Sequence, residues 1–117
     1  MSILKVSRMG HPVLRQKARP VERSEIKDPR FQKFIDDMID TMHEYHGVGL
    51  AAPQIHEGLR IFVAAIAPLD EEPLSPETEP MVFINPVITP VGKDVVEDWE
   101  GCLSIPDLRG RVPRARA

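Results

Sequence analysis

The sequence predicts an α+β fold: an N-terminal arm and one amphipathic helix packed on short, largely antiparallel strands. Two patterns carry this expectation. A single segment, residues 29–46, places apolar residues at helical spacing, and downstream of it short apolar runs of strand length alternate with proline- and glycine-containing breaks. The length, 117 residues, limits the chain to one domain, residues 1–117.

Residues 1–27 read as extended and irregular. Pro12 and Pro20 break any helix there, and Val13, Leu14 and Val21 are scattered, as in an arm wrapped over a core. The helix follows. Asp28 suits the N-cap, Pro29 the first helical position, and Phe31, Phe34, Ile35, Met38, Met42 and Tyr45 form one apolar stripe that is core, before Gly47 stops the helix. His43-Glu44-Tyr45-His46 imitates a zinc-binding H-E-x-x-H helix but is one residue short. Residues at i and i+3 can share a metal, yet His43 points away from the stripe and His46 only borders it, at about 100° per residue. Both imidazoles read as helix-end residues favoured by the macrodipole.

Gly47–Gln54 spells G-x-G-x-x-A, but it follows a helix and runs into Pro53, so it is not a dinucleotide fingerprint. It reads instead as a loop whose glycines let the backbone lie against an extended ligand, with Gln54 projecting a neutral amide able to donate to an oxygen. Residues 60–67 form an unbroken apolar run, expected as a buried central strand. Residues 68–80, rich in proline and acidic side chains, read as an exposed loop carrying no chemistry. Met81–Ile84 and Val87–Thr89 read as strands interrupted at Asn85-Pro86, residues 92–94 as a turn, and Val95-Val96 as the start of an extended piece leading to Trp99, a large apolar anchor. Leu108–Val112 begins a further strand.

Composition excludes several function classes. With 15 basic and 18 acidic residues and a net charge of −3, the chain lacks the concentrated basic surface of a nucleic-acid binder. The arginines Arg109, Arg111, Arg114 and Arg116 read as a solvated strand edge. One cysteine cannot form an internal disulfide, which fits a reducing compartment. Met1–Gly10 has no apolar run of signal-peptide length and no segment is long enough to span a membrane, so a soluble cytoplasmic protein is expected.

That cysteine, Cys102, lies in Glu100-Gly101-Cys102-Leu103-Ser104. A lone cysteine is commonly a small buried hydrophobe. Here Gly101 beside it allows close backbone approach, and a second stretch of unusual composition, Gly47-Val48-Gly49-Leu50-Ala51-Ala52-Pro53-Gln54, accompanies it. Together the two resemble the G-Φ-G-Φ-A-A-x-Q and E-G-C-x-S motifs of the peptide deformylase family, and flanking residues extend the resemblance from Ile3 through Pro113. The family's third motif, an H-E-x-x-H helix, does not occur in residues 1–117.

The resemblance implies a metal-dependent hydrolase that removes the formyl group from the N-terminal methionine of nascent peptides, at the ribosome and without direct nucleic-acid binding. The implied metal is Fe²⁺, replaceable by Zn²⁺ or Ni²⁺, and lowers the pKa of a bound water. Cys102 is implied as a metal ligand, and the Gln54 amide and Leu103 backbone N–H as catalytic donors to the oxyanion. Val48, Gly49 and Gly101 would line the peptide, with Arg109 toward its distal end, and Glu100 would orient the ligand from behind. The absent motif would supply two histidine ligands and the proton-shuttling glutamate. The expectation is therefore of a truncated chain that is catalytically incomplete alone and exposes apolar surface. The alternative is a non-catalytic remnant that binds peptide or a partner chain.

Overall fold

Two short helical stretches precede the main helix where the sequence predicted only extended chain. The computed structural model describes residues 2–66 and 78–117, so most of the expected 68–80 loop lies outside the described residues. Pro12–Leu14 form a 3₁₀ turn, and helix α1 spans Arg23–Ile26. Pro12 starts its turn rather than breaking it, because a helical first position needs no N–H. The His11 side chain caps that turn by accepting from the Val13 N–H at 3.1 Å.

The arm does wrap the core. Val13 and Val21 are buried. The Leu4 N–H donates to Thr41 Oγ1 at 2.8 Å. Asn85 takes both backbone groups of Val21, accepting its N–H at 2.8 Å and donating to its carbonyl at 2.9 Å.

Helix α2 spans Pro29–Glu44, capped by Asp28, whose carboxylate accepts the Arg30 N–H at 2.8 Å. It ends two residues earlier than predicted. His46, not Gly47, adopts the left-handed conformation, with φ of 56°. The His46 N–H donates to the His43 carbonyl at 3.0 Å and the Gly47 N–H to that of Met42 at 2.9 Å, which together close the helix in a Schellman motif. Gly47 instead leaves room for Leu103: a Cβ there would lie 2.8 Å from Leu103 Cδ1, so that side chain would have to shift. Phe31, Ile35, Met38 and Met42 are buried as the stripe predicts, and Phe34 is half-buried. Tyr45 falls beyond the helix end and is 44% exposed, so it leaves the stripe.

The predicted 47–54 loop is partly regular: Gly49–Ala51 form strand β1 and Ala52–Ile55 a second 3₁₀ turn. Strands β2 (Ile61–Ala64) and β3 (Met81–Ile84) complete a three-stranded sheet in the order β1-β2-β3, antiparallel throughout, with Leu50 opposite Val63 and Phe62 opposite Phe83. The 60–67 run is thus the central strand, but shorter than predicted and buried on one face only. Ile61 and Val63 join Val21, Leu50, Ala52, Ile55 and the α2 stripe in the core. Phe62 lies on the other face, stacked on Phe83 with ring centroids 4.6 Å apart.

Val87–Thr89, predicted as a strand, joins no ladder among the described residues, and Val87 and Ile88 are 90% and 83% exposed. Asn85 turns the chain at φ of 53°, and Pro86 and Pro90 offer no N–H to a neighbour. Strands β4 (Val95–Cys102) and β5 (Ile105–Ala115) then form a separate antiparallel ribbon. Both exceed the predicted extended pieces. Trp99 is not an anchor: it sits opposite Arg111 and is 62% exposed, since no described layer covers the ribbon. Arg111 and Arg114 pair across the ribbon with Glu97 (3.4 Å) and Glu100 (2.8 Å). Exposed apolar side chains gather here and just before it, at Val91, Val95 and Leu108. Among the described residues, no helix is long and apolar enough to cross a membrane.

Candidate functional site

The site forms where the second 3₁₀ turn meets the β4–β5 connection. Gln54 sits on that turn. Its Oε1 accepts the Ala51 N–H at 3.0 Å. This bond fixes which end of the amide is which, because only the oxygen can accept. Nε2 therefore faces the ribbon, 3.2 Å from Ser104 Oγ and 3.5 Å from Cys102 Sγ. Cys102, the last residue of β4, is exposed, so the buried-hydrophobe reading of a lone cysteine does not hold here. The two stretches singled out in the sequence, 48 residues apart at Gln54 and Cys102, meet through this amide.

A cleft of ≈ 1160 Å³ opens above them. Val48, Gly49, Gln54, Gly101, Cys102, Leu103 and Arg109 all line it. Val48 and Gly49 bring one wall, at the edge strand of the three-stranded sheet. Gly101, which pairs with Arg109 across the ribbon, belongs to the other. Two backbone edges therefore border one groove, an arrangement that suits an extended peptide. Gly101 meets nothing of the chain unusually closely: a Cβ there would lie 3.7 Å from the Leu108 carbonyl oxygen, an ordinary contact. The tighter approach to a glycine occurs where Gly47 meets the tip of the Leu103 side chain, which packs against the core.

Glu100 is not part of the lining. Its carboxylate accepts two bonds from the Arg114 guanidinium, at 2.9 and 2.8 Å. The Arg114 hydrogen bond holds the Glu100 carboxyl below its ordinary value. Its bonded partner is thus across the ribbon rather than at Cys102.

The described residues do not by themselves fit a catalytic metal. Among the described residues, no group of three or more His, Cys, Asp or Glu side chains converges. His46 lines the cleft but lies past the end of α2, so the i,i+3 geometry considered for it and His43 does not form. His11 and His56 meet edge to face, 4.6 Å apart, and neither lines the cleft. Cys102 is the one soft ligand at the site.

Sequence reasoning missed the arm's part in this site. Arg8 lines the cleft. Ser7, 2% exposed, holds the backbone of the Gln54 turn, and the Met9 N–H donates to the Ser104 carbonyl at 2.8 Å. Ser104 itself is buried and accepts from Gln54. These contacts join residues far apart in the chain, and no local spacing announces them.

Residues 3–117 match the model of a protein family described as polypeptide deformylase. Peptide deformylase 2 of Nostoc sp. is 45% identical over 115 residues, covering 98% of this chain and 63% of that protein. Peptide deformylase 1 of Bordetella pertussis is 43% identical over 111 residues, covering 95% of this chain and 62% of that protein. The chain thus spans less than two thirds of the length of these relatives. Among solved structures, a Met-Ala-Ser-bound class I type b peptide deformylase from Acinetobacter baumannii superposes with a TM-score of 0.85 at 38% identity, covering 98% of this chain and 73% of that one. Peptide deformylase from Thermotoga maritima gives a TM-score of 0.81 at 34% identity, over 98% and 69% of the two chains.

Proposed function

Because the chain belongs to the polypeptide deformylase family, we propose that it serves the hydrolysis of the N-formyl group from the N-terminal methionine of a new peptide, releasing formate. The observation that carries this reading is the oriented Gln54 amide, aimed by the Ala51 N–H at Cys102 and Ser104 on the border of the cleft. A carbonyl carbon attacked by water becomes a tetrahedral oxyanion, and a preorganised N–H donor stabilises it before the C–N bond breaks. Gln54 Nε2 and the Leu103 backbone N–H fill that role in our reading. Val48, Gly49 and Gly101 hold the peptide backbone along the groove, and Arg109 meets its distal end. The neighbour that binds Met-Ala-Ser supports a peptide ligand of this kind.

A divalent metal, Fe²⁺ with Zn²⁺ or Ni²⁺ as substitutes, would supply the activated water, and Cys102 is the ligand this chain offers it. A catalytic metal site takes three protein ligands, and the described residues bring together only this one. We therefore read residues 1–117 as supplying the thiolate and oxyanion donors and the peptide groove, without turning over alone. This observation also favours the alternative reading, a domain that binds peptide or a partner chain without catalysis. A cytoplasmic setting close to the ribosome fits the proposed substrate. Glu100, paired with Arg114 and outside the lining of the cleft, takes no part in the proton transfers in this reading.

The test has two arms. Trp99 is the only tryptophan, is exposed and lines the cleft, so its emission should shift to the blue when formyl-Met-Ala-Ser binds residues 1–117. The chain alone, loaded anaerobically with Fe²⁺ or Ni²⁺, should release no formate. Joined to the unmatched remainder of the Nostoc protein, it should turn over, and Cys102→Ala should remove metal and activity together. No shift on peptide addition, or full metal occupancy in Cys102→Ala, would overturn the reading.

A further inference from the structure

The N-terminal arm crosses the candidate site at the point where its two halves meet. Ser7 is 2% exposed, and both its backbone and its side chain bond the Gln54 turn. Its N–H donates to the Gln54 carbonyl at 2.6 Å. Its hydroxyl lies 3.0 Å from the Pro53 carbonyl and 3.0 Å from the Gln54 carbonyl, so one proton serves two acceptors. Two residues on, the Met9 N–H donates to the Ser104 carbonyl at 2.8 Å. Ser104 Oγ is in turn 3.2 Å from Gln54 Nε2. The arm therefore bonds the turn that carries Gln54 and the turn that follows Cys102, and the amide bridges what the arm has joined.

We propose that Ser7 is a positioning residue for the Gln54 amide: its buried hydroxyl fixes the 53–54 backbone, and so aims Nε2 at Ser104 and Cys102. The inference rests on the functional reading of Gln54 given above, but its geometry stands apart from that reading. The backbone N–H of Ser7 would survive any substitution. What the hydroxyl adds is a second hold on two successive carbonyls, restricting the rotation of the peptide plane from which the Gln54 side chain projects. A side chain whose backbone is free to rotate by even a few degrees delivers its terminal amide over a correspondingly wider arc. Gln54 would then keep its Ala51 bond and lose its steady contact with the ribbon.

The experiment reads the Gln54 side-chain amide directly in residues 1–117. The glutamines are Gln16, Gln32 and Gln54 and the asparagine is Asn85, so the ¹H–¹⁵N side-chain amide pairs are few and separable. The Gln54 pair is the one missing from Gln54→Ala. Ser7→Val and Ser7→Thr add the same bulk and differ in the hydroxyl, and Ser7→Ala removes the hydroxyl without adding bulk. In the parent and in Ser7→Thr, the Gln54 pair should stand apart from that of exposed Gln16. In Ser7→Val and Ser7→Ala it should collapse toward Gln16, while the backbone signals of buried Met38, Thr41 and Val63 stay in place. An unmoved Gln54 pair in Ser7→Ala would overturn the inference. So would equal movement in Ser7→Thr and Ser7→Val, or loss of the core signals in Ser7→Ala, which would make the hydroxyl a support of the whole fold. These results are independent of turnover: a Gln54 amide that moves as expected, in a completed protein whose activity survives Gln54→Ala, would sink the functional reading and leave the positioning intact.

Discussion

Replacing Asn85 should cost more than its exposed position suggests. Asn85 closes β3 in the left-handed region at φ of 53° and holds both backbone groups of Val21. Val21 is 5% exposed, so its N–H and carbonyl have little access to other partners. Asn85→Ala loses both bonds, each worth about 0.5–1.5 kcal/mol net, and places an alanine in a conformation that costs roughly 1–2 kcal/mol without a side-chain amide. Water reaching the vacated space draws the total toward the lower end, about 2–3 kcal/mol. Asn85→Asp keeps the acceptor for the Val21 N–H and tolerates the left-handed backbone. It loses the donor and turns an acceptor-only carboxylate oxygen toward the Val21 carbonyl, so it should be no more stable than the alanine variant. In a domain this small, the alanine variant should melt roughly 10 °C lower. Urea unfolding followed by far-ultraviolet circular dichroism separates the three proteins. Equal stability of Asn85→Ala and parent would refute the reasoning, as would an Asn85→Asp as stable as the parent.

Thr41→Val keeps the shape of a fully buried residue but strips the acceptor from the Leu4 N–H. It should lower stability by about 1–2 kcal/mol in urea, within the usual cost of an unpaired buried donor, and should speed proteolysis of the arm. In a completed, metal-loaded protein, Gln54→Ala should reduce kcat on formyl-Met-Ala-Ser by about 10²–10³-fold with metal content unchanged; an unchanged kcat removes Gln54 from the oxyanion role. Glu100→Gln should leave the melting temperature nearly as it is, because both it and Arg114 are solvent-exposed and such pairs contribute little. A large fall would mean that this pair holds the ribbon together.

Much of the fold was legible in local pattern. The α2 stripe from Phe31 to Met42, the Asp28 cap and Pro29 at the first position each follow from rules acting within a few residues, and appear in the structure. The same holds for β3, whose bounds match the predicted Met81–Ile84. Local rules failed where a distant partner chooses between permitted conformations. Gly47 was expected to reverse the helix, yet His46 does so, and Gly47 instead faces Leu103 from 56 residues away in sequence. Val87–Thr89 has the composition of a strand, but with flanking prolines and the Asn85 turn it pairs with no strand among the described residues. Trp99 has the size of a core residue and lines an open cleft instead.

For the site, the sequence by itself determined which side chains are present: a glutamine after a glycine-rich stretch, and one cysteine inside a short motif. Only the tertiary structure decided how they act together. Ser104 and Cys102 receive the Gln54 amide, and Ser7 and Met9 reach across from the arm to hold both turns. The physical reason is that hydrogen bonds are short and directional, so their geometry depends on where folding brings backbone groups 46 or more residues apart, which no local periodicity encodes.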